Sequence, residues 1–483
     1  MYDTIVIGDD LSSLIAAALS ARYGKKTALL SEKEDTPAFF SESGYTFNID
    51  PFPWTGFGSG QVFPRLFSEL DIPFTDETNI AQLNPSLQII LPKHRIDLYN
   101  RKNALTSEME REFPENIKEI DKLYSAVLRS GNSINRFINK NPFARPRSFK
   151  EYLKLAVGIP IFIRNRSILS KRFKATQYPP SLKRVFEAEL FVLSSLCTNS
   201  AKPLSSAHIL SLPWNGLFYH LGGKHILTDV FKKKFMSYGG SLIDNSSIVR
   251  LNTAGEIEVD IDVEGIVSRI SGRNLIVSTK WEKLKQMLLN DERLEKPAKK
   301  FETIEAVYHP FTLHMGVYEK GIPEKISEYV IIIGDEERPV MDNNLVFLEV
   351  SSSKDTVSAP HGKRAVSATV FLKKSPLILS NGDLERVSTG IPDNLKDFLP
   401  FLRENLDFTN VGKSIEISRK YQNIINQKYR IKGNPLLGLS TLSNSTPVKN
   451  VFLTGGMLLA GLGFEGEVIS GMNAAYLTVG ENL

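Results

Sequence analysis

The sequence holds one cysteine, Cys197, in 483 residues. A lone thiol excludes an internal disulfide framework and any cysteine-built metal centre, and it suits a reducing compartment. With no basic partner beside it in the sequence, Cys197 reads as a buried structural thiol rather than a nucleophile. Histidine is scarce as well: there are seven, without metal-ligand spacing. His220 and His225 are five apart and read as turn and helix-surface residues, so no metal site is expected. No run approaches the ~20 apolar residues that a bilayer span needs. The apolar N-terminus carries Asp3, Asp9 and Asp10 where a secretory leader would carry Lys or Arg, so it reads as a strand, and a cytoplasmic location is expected. Neither sign of charge dominates, with 59 Lys and Arg against 54 Asp and Glu, and the net +5 is too diffuse to argue for a nucleic-acid partner.

What is present is globular. Apolar residues make up 42% and charged residues 23%, the balance of a chain that can bury a core, and the length suggests two connected domains rather than one. The first stretch sets the organisation. From Tyr2 to Glu34 it reads YDTIVIGDDLSSLIAAALSARYGKKTALLSEKE: an apolar strand from Thr4 to Ile7, Gly8, an Ala-rich helical pattern to Tyr23, and a second apolar run from Thr27 to Leu30 that ends in acid. This strand, turn, helix, strand unit is the form that holds a dinucleotide pyrophosphate on a helix N-terminus.

Glycine is what the unit lacks. The fingerprint places three, and here those places hold Gly8, Asp10 and Ser13, with Leu11 and Ser12 between the last two. The second glycine lets bare backbone approach the phosphates, and aspartate adds a Cβ and a negative charge there. Asp10 is therefore expected to repel the ligand that the unit is shaped for, whereas Ser13 is still small. Asp9 or Asp10 also suits a plain helix cap. The acid expected roughly 20 residues beyond the glycines is displaced, with Ser31 ending the strand and Glu32 following it.

Further along, GYTFNID reads as a half-buried strand, PFPWTGFGSG as a loop and Gln61 to Leu70 as a helix. Two short strands forming a hairpin are expected between residues 79 and 99, and helix from Ser107 to Ile138. The segment 148–174 interleaves Lys150, Lys154, Arg164, Arg166, Lys171, Arg172 and Lys174 with apolar residues, a pattern suited to a membrane interface or to a core helix with a basic face. Next come a turn at Gly222-Gly223, a helix to Ser237, a strand that leads on to Ile248, a hairpin over 253–270, an apolar strand GRNLIVST and a helix from Trp281. The runs TLHMGVY, YVIII, LVFLEV and RAVSATVFL predict an antiparallel sheet. A short helix bent at Pro400 is expected over Asn394 to Asn405, then a final strand, a glycine-rich turn and a helix from Glu465 to Val479.

Three stretches, YDTIVIG…AAALSARYGKKTALLSE, YHLGGKHILTDVFKKKFMSYGGSLIDNSSIVRL and VFLTGGMLLAGLGFEGEVISGMNAA, together resemble the FAD-dependent phytoene desaturase and retinol saturase group, within the amine oxidase and Rab GDP-dissociation-inhibitor superfamily. APHGKRAVSATV is a weaker echo of that group's Ala-Pro-x-Gly-Lys strand. The resemblance implies an FAD whose pyrophosphate lies over Gly8 to Ser13 and whose adenine meets the backbone at Ile248. It also implies Gly455 and Gly456 at the ribityl and pyrophosphate end, and the flavin ring near Gly461 to Gly466, beside Gly463 and Phe464. The departures fall on this one ligand: Asp10, Ser13, Ser31, Pro37-Ala38-Phe39-Phe40 in place of Gly-Gly-Arg, and Gly456 in place of an acid.

The resemblance implies an α/β architecture: a discontinuous Rossmann-like FAD-binding domain assembled from 1–75, 205–290 and 435–483, with an α+β substrate domain inserted as 76–204 and 291–434. The activity it implies is desaturation or saturation of a long apolar isoprenoid or carotenoid-like lipid by flavin hydride transfer, in which the cofactor performs the hard step and no side chain can be named as catalytic. The alternative on the same fold is a non-catalytic lipid- or prenyl-binding protein. Either way a long apolar pocket between the domains is expected, and segment 148–174 is the expected membrane-surface contact. A short or polar pocket would exclude a lipid substrate.

Overall fold

The computed structural model describes residues 1–8, 10–32, 38–73, 80–140, 167–170, 178–197, 202–221, 223, 225–253, 255–278, 303–341, 343–422, 425, 427–432 and 443–480. Most of segment 148–174, the helix expected from Trp281, Asp9, Pro37 and Gly222 lie outside the described residues.

The first sheet is built on β1 (Tyr2–Ile7), which is buried on both faces from Thr4 to Ile7, as parallel strands require. It pairs in parallel with β2 (Thr27–Glu32). Beyond β2 lies β3 (Ser241–Asn252), also parallel. After β4 (Ile257–Val263) comes the long strand β5 (Ile266–Val277), which pairs in parallel with β1 on its other side and with β6 (Val451–Leu453). The parallel core therefore has the order β3-β2-β1-β5-β6. β4 is antiparallel to both β3 and β5 and joins them in a meander. Gly272 pairs with both Tyr2 and Ile257, where β5 passes from meander to parallel core, and a Cβ there would lie 2.9 Å from the Ile5 side chain.

The helix Leu11–Arg22 crosses from β1 to β2 and is buried from Leu11 to Ala21. Its small residues follow from its neighbours: it is packed beneath the last helix, Gly463–Val479, so closely that a Cβ on Gly471 would lie 2.4 Å from the Ser12 carbonyl oxygen. The two helices also meet at Ser20 and Thr478, 3.4 Å apart.

The second sheet runs, in order, Leu406–Thr409, Ile304–Tyr318, Lys363–Leu372, Leu345–Val350, Tyr329–Ile333, Leu87–Ile90 and Arg95–Leu98, with Lys428–Ile431 also pairing with Ile304–Tyr318. Its pairs are antiparallel except for Tyr329–Ile333 against Leu87–Ile90. The expected α/β architecture with an antiparallel second sheet is the one observed. Residues 2–32, 241–277 and 451–453 meet in the first sheet, so the chain leaves it and returns twice.

Two local expectations need correction. The helix expected over 394–405 lies earlier, at Asn381–Leu395, because Ser380 and Asp383 form a reciprocal capping box that sets its start. Only a single tight turn, Arg403–Asn405, follows Pro400. His220 is not a turn residue: it ends the buried strand Phe218–His220, which pairs with Ile80–Gln82.

Candidate functional site

The parallel strands β1, β2, β5 and β6 end on one edge of the first sheet, the edge where ligands of such sheets bind. Gly8, Ser31, Ser278 and Gly455 stand at or just past those ends. Gly8 has φ +132°, and a Cβ on it would lie 2.6 Å from the Ser13 hydroxyl and 2.9 Å from Ser278, so the tight turn requires glycine.

Asp10 is the N-cap of the helix. Its Oδ1 accepts from the Ser13 backbone N–H, the Ser12 hydroxyl and the Ser13 hydroxyl, each at 2.8 Å. Its Oδ2 accepts from the Ser278 hydroxyl, which arrives from β5. Both oxygens of this one carboxylate are thus engaged, and they sit on the positive end of the helix. Ser12 and Ser13 are fully buried, with Leu11 beside them. The donors suit an anion, and the anion in place is the chain's own. A pyrophosphate would meet a carboxylate where it needs bare backbone, so the residues present do not fit it as folded.

The remaining residues singled out from the sequence gather around this edge to different degrees. Ser31 is half-buried and its carbonyl accepts from the Ser246 hydroxyl at 3.0 Å, while Glu32 pairs in register with Ser246 of β3. Ile248 lies farther along β3, opposite Ile261. Gly455 has φ +135°, its N–H donates to the Ser470 hydroxyl at 3.0 Å, and a Cβ on it would lie 3.9 Å from the Ser278 hydroxyl, so it borders the Asp10 cluster. A Cβ on Gly456 would make only ordinary contacts, with Glu467.

Glycines of the last turn serve the chain itself. A Cβ on Gly463 would lie 2.5 Å from the Leu193 carbonyl oxygen, and one on Gly466 would lie 2.3 Å from that of Leu459. Phe464 faces inward, against Trp54 at 6.2 Å and Phe63 at 5.8 Å between ring centroids. From these rings an aromatic interior continues through Phe57 and Trp54, with Trp54 5.4 Å from the His220 ring. Across the loop, Phe52 stacks on Phe347 of the second sheet at 5.5 Å.

Ionisable groups lie buried around this interior, and sequence reasoning did not single them out. Glu465, in the first turn of the last helix, accepts one long hydrogen bond, from the Gln61 amide at 3.4 Å, and burial pushes its carboxyl up to about 8. Lys428 is 1% exposed. Its Nζ donates to the carbonyls of Val192 at 3.1 Å and Ser194 at 2.6 Å, and it lies 4.8, 5.3 and 5.5 Å from the ring centres of Phe52, Phe191 and Phe371. Desolvation lowers it to about 7, against opposing contributions from Cys197 and Asp50. Leu193, between those two carbonyls, is the residue that Gly463 packs on, so Lys428 braces the segment against the glycine turn. Glu189 has both carboxylate oxygens unpartnered and is pushed well up by burial, as is the Tyr124 hydroxyl, which feels the Glu189 charge. His208, with both ring nitrogens unpartnered, is driven down to about 4 by burial. Buried ionisable groups with few partners mark places where a chain retains chemistry at a cost to stability.

Ser278 had a legible signal, since it directly follows the apolar strand within GRNLIVST, on the same edge as Gly8. Glu465 and Lys428 had none, because their burial comes from distant segments. Cys197 is buried, its thiol pushed up to about 11, as expected of a structural thiol. A cavity of about 860 Å³ opens at the far side of the second sheet, lined by charged groups including Lys93, Arg95, Arg111, Glu112 and Asp393 together with Ile332 and Val346. It is polar and is not the interdomain pocket expected from the sequence. Among the described residues no helix is long and apolar enough to cross a membrane.

No family model matches the chain. It is 21% identical to a chloroplastic prolycopene isomerase of Daucus carota, over 98% of this chain and 79% of that protein. It is also 21% identical to a protein of Danio rerio named inactive all-trans-retinol 13,14-reductase, over 94% of this chain and 82% of that one. Among solved structures, a putrescine oxidase triple mutant superimposes with a TM-score of 0.60 at 14% identity, covering 98% of each chain. An oxidoreductase from Methanosarcina mazei gives a TM-score of 0.59 at 13% identity, covering 98% of this chain and 99% of that one. At such identities the solved structures speak to the fold, and the sequence likeness runs nearly end to end. By both, the chain is similar along nearly its whole length to proteins named for prolycopene and for retinol, and it shares its fold with putrescine oxidase.

Proposed function

We propose that this chain is an oxidoreductase acting on a long apolar isoprenoid or carotenoid-like polyene, desaturating or saturating it. The observation that carries the reading is the likeness over 98% of the chain to a protein named for prolycopene, supported by a second relative named for retinol. The aromatic interior from Phe464 and Trp54 to Phe52 and Phe347 supports it physically, since closely stacked buried rings make an apolar surrounding from which water is excluded. Within it, Glu465 is held protonated at neutral pH and Lys428 is poised between its two forms, so the chain's own residues can hold a proton away from bulk water. FAD is the redox group that this reading calls for, and the Asp10 carboxylate stands in the cradle its phosphates would need. Segment 148–174 supports delivery of the lipid from an anionic membrane surface, which sedimentation with anionic vesicles would test.

Asp10 itself favours a second reading, a non-catalytic lipid- or prenyl-binding protein. The deciding experiment is the visible spectrum of the purified protein with and without added FAD, followed by incubation with C40 polyenes differing in the number of conjugated double bonds. The oxidoreductase reading expects a flavin band near ~450 nm when FAD is in excess, and a shift of the polyene bands. Polyene binding with no band shift under any flavin concentration would establish the carrier. Failure to bind any polyene would remove both.

A further inference from the structure

We infer that the Asp10 carboxylate is an internal stand-in for the dinucleotide phosphate, so that the first β-α-β unit is completed without a ligand and a flavin enters only by displacing that carboxylate. The inference rests on the reading of the chain as a flavin-using member of its superfamily and adds how the flavin is held: exchangeably, rather than as a permanent prosthetic group.

Three observations converge. First, the carboxylate takes the place of an external anion at a helix of twelve residues, accepting the Ser13 N–H that an incoming phosphate would need. Second, the surroundings are built to hold it: hydroxyls of Ser12 and Ser13 converge on Oδ1, and Ser278, 268 residues away on a different strand, supplies the hydroxyl for Oδ2. A simple cap needs one backbone N–H, so three further hydroxyl donors exceed what capping requires. Third, the glycines that flank the carboxylate are in place. Gly8 keeps the backbone conformation of the tight turn, φ +132°, and Gly455 keeps an open flank, φ +135°, beside Ser278. The shape of the cradle survives, therefore, while its centre is filled by a fixed negative charge. An incoming phosphate must take the donors from Asp10 and then sit beside a charge of its own sign in a partly desolvated site.

The test uses the full chain, titrated with FAD by flavin fluorescence and followed by gel filtration, for the wild type, Asp10→Asn and Asp10→Gly. Asp10→Asn keeps the capping oxygen and the volume and removes only the charge. Both variants are expected to bind FAD at least tenfold more tightly than the wild type, Asp10→Gly the more so. The wild type is expected to release its flavin on the column. FAD should raise the melting temperature of Asp10→Asn more than that of the wild type. Equal affinity across the three proteins, or wild-type chain that retains one flavin through the column, would overturn the inference. If Asp10→Gly does not fold, Asp10→Asn decides; if neither folds, retention or release by the wild type decides. The readout is flavin binding, so a tight-binding variant that leaves polyenes unchanged would count against the proposed function and leave this inference standing.

Discussion

The helix end around Asp10 and the interior around Lys428 and Glu465 are both buried or nearly so, and they treat polar groups in opposite ways. At the helix end, one carboxylate meets four donors and both its oxygens are occupied. In the interior, Glu465 accepts a single long hydrogen bond, Glu189 accepts none, and Lys428 is enclosed by rings with two carbonyls as its acceptors. Satisfied polar groups stabilise a fold and make it unique; under-satisfied ones cost stability. The contrast separates a region made self-sufficient from one kept under tension, and the second is where a ligand or a proton has most to gain.

Substitutions can break this contrast, and the largest effect is expected at Lys428. Lys428→Ala strands two carbonyls and empties a volume among three phenylalanines, and should cost about 4 kcal/mol in urea denaturation. Lys428→Met keeps the volume and removes a buried charge, so it should lose less than half as much. An equal loss would mean that the hydrogen bonds to Val192 and Ser194, not packing, hold the segment.

Glu465 comes next. Its carboxyl is raised from 4.5 to about 8, so between those values the folded chain binds one more proton than the unfolded chain, and the Glu465 contribution falls as pH rises. Glu465→Gln removes that loss: the stability of the variant relative to the wild type should climb by about 1.4 kcal/mol per pH unit across this window. Lys428 has the opposite sign, because its lowered value makes the wild type gain stability from about 7 towards 10.5. Parallel pH profiles of Glu465→Gln and the wild type would show that the carboxyl is not held in the way its burial indicates.

Smaller effects are expected at the self-sufficient end. Gly471→Ala forces a methyl to within 2.4 Å of the Ser12 carbonyl oxygen and should cost about 2 kcal/mol by parting the two helices. Ser278→Ala removes one of four donors to Asp10 and should cost only about 1 kcal/mol, since the other three remain. A loss at Ser278 as large as that at Lys428 would erase the contrast.

Much of the fold could be read from short segments. The run TIVIG, the alanine-rich helix and TALLSE carry their periods within thirty residues, and the strands of the second sheet alternate or run apolar within ten. The helix at Asn381–Leu395 lies earlier than the apolar pattern over 394–405 suggests, because the Ser380–Asp383 capping box sets its start. The dual reading of Asp10, as repulsive charge or as cap, was also available from sequence, and the two turn out to be one fact: the carboxylate caps the helix by standing where a phosphate would.

The sequence alone determined the β-α-β unit, the absence of its second and third glycines and the alternation of strands, because these depend on backbone preferences and side-chain periods between near neighbours. Tertiary structure alone decided that Ser278 would reach Asp10, that Phe52, Phe191 and Phe371 would enclose Lys428, and that Glu465 would be cut off from water. Desolvation and hydrogen bonding across hundreds of residues are properties of the packed whole, and no local pattern encodes them.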